Sequence, residues 1–145
     1  MHTVEFRIER EEFPAGVSSV VNPYVDGVRL QDLIRPVEQP FADREGKPDL
    51  AGAYAGLPGS TIPWPTRHLL GDPLLSWYDD GDTVLLGCEC GDPGCWPLTA
   101  HVEVTDSSVT WYHFRTGHRD WNLSDLEPLV FDRTQYERAL RAAEA

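Results

Sequence analysis

The chain has 145 residues, 41% of them hydrophobic and 25% charged, which are the proportions of one globular domain rather than a disordered chain. Twelve Lys and Arg stand against 24 Asp and Glu, a net charge of −12, so the composition argues against gripping nucleic acid or anionic lipid. No run approaches the ~18 apolar residues of a membrane span, and residues 1–7 carry charges where a secretion signal is apolar, so a cytoplasmic protein is expected.

Val4, Phe6 and Ile8 alternate with Glu5, Arg7 and Glu9, the period of a half-buried strand. A second strand spans Val17–Val25; Pro23 inside it predicts an edge or irregular strand that could support a dimer. Asp26-Gly27 reads as a turn. Leu30, Leu33, Ile34, Val37 and Phe41 then form a helical stripe, predicting a helix over about 29–43, kinked or divided near Pro36 and ended by Gly46. Residues 46–73 are rich in Gly and Pro and read as a long loop with at most a helical turn at Thr66–Leu70. Either Tyr54, Leu57, Ile62 and Trp64 pack this loop on a sheet, or it is a lid carrying Trp64.

Strands are predicted at Thr83–Cys88, Trp96–Thr105 and Val109–Phe114, the last two joined by a tight turn at Asp106-Ser107. The acidic stretch Asp79, Asp80, Asp82 reads as a solvated turn, since it lacks the further oxygen ligands of a calcium loop. Asp132 and Gln135 have capping-box spacing, and Phe131 and Tyr136 occupy the staple positions of a final helix. The sum is a single α+β domain over residues 1–145: a mostly antiparallel sheet with an N-terminal and a C-terminal helix packed on it. No long heptad calls for a partner helix, so a monomer is expected.

The three cysteines fall within Cys88-Glu-Cys90-Gly-Asp-Pro-Gly-Cys95. Clustered thiols in a reducing compartment suggest metal or redox chemistry. A turn at Asp106-Ser107 makes paired residues sum to 213: Val104 meets Val109, Val102 meets Trp111, Ala100 meets His113, and by extension Cys95 meets His118. That register proposes Cys88, Cys90, Cys95 and His118 as a structural Cys3His zinc site. His101 has the right parity but lies about 20 Å along the strand from Cys95. His113 is expected on the opposite face, partly buried beside Val102 and Trp111. Two other readings stay open: a redox pair of Cys90 with Cys95, and thiols packed as small apolar groups.

The run from Leu86 to Leu98 (Leu-Gly-Cys-Glu-Cys-Gly-Asp-Pro-Gly-Cys-Trp-Pro-Leu), Val109–Phe114 with His118-Arg119, and Phe131–Tyr136 resemble a family of small uncharacterised actinobacterial proteins. The likeness covers chiefly residues 83–141 and implies no activity. The chain lacks GxGxxG, phosphate-loop, HExxH and GxSxG motifs. The leading expectation is therefore a small acidic binding or accessory protein, with zinc as its candidate cofactor and a protein or small molecule as its partner. The competing expectation is a cysteine- or metal-dependent enzyme using the Cys88–Cys95 cluster, His118 and Arg119.

Overall fold

A computed structural model describes residues 1–61, 66–90, 96–117 and 119–143. Its strands form two sheets whose ladders are all antiparallel. The first contains β1 (Val4–Phe13), β2 (Gly16–Val25) and β3 (Val28–Arg29). After α1 (Leu30–Arg44), β4 (Tyr54–Ala55) and β5 (Leu57–Pro58) split between the sheets: β5 pairs with β2, and β4 with β6 (Asp82–Cys88). The second sheet continues through β7 (Leu98–Val104), β8 (Ser108–Thr116) and β9 (Leu129–Asp132), and α2 (Arg133–Ala142) follows. One sheet was expected where two occur, and β9 was not foreseen. A single parallel bridge, His2 to Phe131, links the start of the chain to β9.

Strand β2 is central, not an edge: β1 covers one side, while β5 and β3 share the other. Pro23 survives there because β5 ends its pairing at Val21 and β3 begins at Tyr24, so a missing N–H falls in the gap between them. Asp26 and Gly27 both take positive φ (52° and 81°), the twist of a two-residue hairpin turn.

The first helix is not divided by its prolines. Pro36 and Pro40 are four residues apart on the exposed side, where the carbonyls they leave unpaired can meet water. The helix ends in a Schellman motif, with Gly46 N–H on Asp43 O and Lys47 N–H on Ala42 O. Gly46 has φ +70°, which is why glycine occupies it.

Helix α2 forms as expected. Asp132 accepts from the Gln135 N–H at 3.0 Å, a cap worth about 1 kcal/mol. The Gln135 side chain does not return to the cap; it clamps both backbone groups of Val4 in β1. Phe131 and Tyr136 are fully buried with ring centroids 5.5 Å apart. Phe6 meets Tyr136 edge-on, and Trp111 donates its indole N–H to the Tyr136 hydroxyl, which donates in turn to Leu69 O. One hydrophobic cluster thus joins both sheets and both helices. No helix among the described residues is long and apolar enough to cross a membrane.

Candidate functional site

Cys88 ends β6, half-buried and paired across to Tyr54. Cys90 is exposed, and its backbone N–H donates to Cys88 Sγ at 3.4 Å. The other two proposed ligands, Cys95 and His118, lie outside the described residues, as do Ile62 and Trp64. Among the described residues no group of three or more His, Cys, Asp or Glu could hold a metal ion.

The register from which Cys95 was set opposite His118 shifts by one residue within the β7–β8 ladder, and the pair itself lies outside the described residues. Pairs sum to 213 from Val104–Val109 to His101–Tyr112, then to 214 at Thr99–Arg115 and Leu98–Thr116. One extra residue enters β8 between them, a β-bulge at which His113 takes φ +56°. A slip of one residue exchanges the faces. Beyond the bulge it is Phe114 that enters the core, whereas His113 is exposed and stacks on His101, ring centroids 5.3 Å apart. The expectation of His113 partly buried beside Trp111 on the face opposite His101 is therefore overturned.

Beside Cys88 and Cys90 opens a cleft of about 400 Å³. The tip of the β1–β2 hairpin supplies Phe13, Val17 and Val20, and Pro58 and Gly87 close it from β5 and β6. Its described lining contains no Asp, Glu, Lys, Arg or His, so the two thiols are its titratable groups. Gly56 at its floor is required: a Cβ there would stand 2.7 Å from both Asn22 Oδ1 and Val21 O.

The buried titratable groups lie elsewhere. Glu38 belongs to the i, i+4 row Leu30, Ile34, Glu38, Ala42 that α1 buries. It accepts from the Tyr54 hydroxyl and from the Gly52 N–H at 2.8 Å. Burial raises its carboxyl above the usual range, and burial with the adjacent Glu38 pushes the Tyr54 phenol well up. Tyr54 Oη also lies 2.9 Å from Thr116 Oγ1, tying α1 to β8. Above this pair the Arg119 guanidinium sits between Trp96 (3.7 Å to the centroid) and Trp121 (4.5 Å). The Trp121 indole N–H donates to Glu45. These contacts brace α1 against the second sheet. The one sequence clue to them was a glutamate in an otherwise apolar row.

A third polar centre surrounds Asp82, which is buried rather than solvated as the acidic turn was expected to be. Burial opposes its charge, yet the Ser76 hydroxyl and the N–H groups of Trp77 and Tyr78 outweigh it and hold the carboxyl at about 2. That anchor fixes the turn bearing Asp80, whose two oxygens accept from Arg115 Nη2 at 3.0 Å each. His68 is buried and spent structurally: Nε2 donates to Val84 O, and Nδ1 accepts from Leu74 and Leu75. Burial lowers its basicity, consistent with a neutral ring. No family model, curated protein or solved structure matches the chain.

Proposed function

We propose that the protein is a small cytoplasmic binding protein whose ligand seat is the cleft under the β1–β2 hairpin tip. The observation that carries this reading is the cleft itself: about 400 Å³, within the range of small-molecule sites, walled by apolar and small residues. With no carboxylate, imidazole or cationic side chain in the described lining, the seat suits a small uncharged apolar molecule better than a substrate needing acid–base chemistry. Titration of ¹⁵N-labelled protein with 2-naphthol tests it. Shifts at Val17, Ser19, Gly56 and Gly87, with slower alkylation of Cys90 by iodoacetamide, are expected. Shifts confined to other residues, or none up to the solubility limit, would overturn it.

Zinc held by Cys88, Cys90, Cys95 and His118 would brace the cleft wall as a structural metal. The observation behind this reading is the Cys90 N–H directed at Cys88 Sγ at 3.4 Å, a contact that a metal-bound sulfur also accepts. About one equivalent of zinc in protein purified without added metal, and a lower melting temperature after chelation, are the expected results.

A further inference from the structure

A second cavity of about 390 Å³ has the opposite chemistry. His113 and Arg115 line it with Phe114, Trp121, Leu123 and Leu126, and Asn122 and Ser124 complete it. In a chain with 24 carboxylate side chains, its described lining includes none. The β8 bulge makes this possible. Strict alternation from the buried Trp111 would send His113 and Arg115 into the core; the inserted residue turns both outward and puts Phe114 inside instead. The backbone accepts φ +56° at a histidine to do so, a conformation that costs a side chain energy and recurs at functional sites.

Arg115 is fixed in place, its Nη2 also 3.3 Å from His101 Nε2. Its guanidinium stacks over Tyr78 at 3.7 Å and is gripped by Asp80 through Nη2, while its Nε is buried and makes no hydrogen bond. The same cavity is lined by the Trp121 ring and by Leu123 and Leu126, its apolar part. Asn122 Oδ1 is spent on the Ser124 N–H, which fixes the loop carrying these residues. A guanidinium, an imidazole that can donate a hydrogen bond, and an aromatic side chain in one cavity match a ligand with an anionic head and a flat apolar body.

We infer that this cavity is a binding site for a small aromatic anion, a carboxylate or phosphate monoester, whose charged head meets Arg115 and His113 and whose ring lies against Trp121. The site is separate from the thiol-lined cleft and does not depend on that reading.

Calorimetry and ¹⁵N spectra with benzoate, phenyl phosphate, inorganic phosphate and neutral benzyl alcohol test it. Benzoate or phenyl phosphate should bind at least roughly tenfold more tightly than benzyl alcohol or inorganic phosphate and shift residues 113–126. Which of the two binds better distinguishes a carboxylate site from a phosphate site. His113→Gly should weaken the better anion about tenfold while the fold persists, because glycine suits the left-handed backbone at that position. Arg115→Gln should weaken it further, and Asp80→Asn should strengthen it by releasing the guanidinium. Equal binding of benzyl alcohol and the anions, unchanged affinity in folded His113→Gly, or no shift at residues 113–126 at millimolar anion would overturn the assignment.

Discussion

The two cavities are nearly equal in volume, about 400 and 390 Å³, yet they differ in every side chain that could recognise a charge. The first is built from a hairpin tip and two strand ends, where small residues leave space and thiols supply the reactive groups. The second is built from an irregularity: one extra residue in β8 turns His113 and Arg115 out beside a loop that carries Trp121. Regular pairing shaped the apolar seat, whereas a break in pairing shaped the charged one. Each can therefore be damaged without the other.

The largest effect is expected at Asp82, which supports only the charged side. Asp82→Ala strands the Ser76 hydroxyl and two half-buried N–H groups and should cost about 2–3 kcal/mol in urea unfolding. It should also loosen Asp80 from Arg115 while leaving 2-naphthol binding intact. The same group predicts acid sensitivity. Its folded value lies at about 2, below the ordinary 3.8, so its stabilisation is complete above the unfolded value and is lost as pH falls through about 2. Between pH 5 and 2 the wild type should lose about 2 kcal/mol more than Asp82→Asn does.

Glu38 should behave oppositely. Its carboxyl is raised by burial, so its stabilisation is greatest where it is protonated in both states and declines as pH rises through the elevated value. Unfolding of Glu38→Gln, compared with wild type from pH 4 upward, should show the variant losing less stability across that rise.

Gly56→Ala strikes the apolar side. Its new Cβ meets a backbone carbonyl and a buried amide, at a cost of about 2 kcal/mol, and should abolish the 2-naphthol response while leaving anion binding measurable. The smallest expected change in stability comes from His113→Gly, a gain of about 0.5–1 kcal/mol from relief of the positive φ, read as a higher urea midpoint.

Legibility in the sequence followed the range of the forces involved. Helix α2 could be read because its cap and staple act within a few residues: Asp132, Phe131 and Tyr136 stand where their spacing put them, although the Gln135 side chain leaves the cap for Val4. The Asp106-Ser107 turn and the first pairs of the β7–β8 hairpin could be read for the same reason. The bulge could not, since Tyr112-His113-Phe114 contains no glycine to announce a left-handed residue. Nor could the central position of β2, which depends on Leu57 and Pro58 arriving from more than thirty residues away. The cysteines advertised themselves by clustering, but the partner proposed for Cys95 came from counting along a ladder that slips. Glu38 was overlooked because the hydrophobic stripe was drawn around it rather than through it.

One measurement bears most directly on the claim that the molecule carries two recognition sites of opposite chemistry: ¹⁵N spectra of one sample titrated first with 2-naphthol and then with phenyl phosphate. The account predicts two disjoint sets of shifts, residues 13–20 with Gly56 and Gly87 for the first ligand and residues 113–126 for the second, with no displacement of either by the other. A single shared set of shifts, or displacement of 2-naphthol by phenyl phosphate, would contradict it.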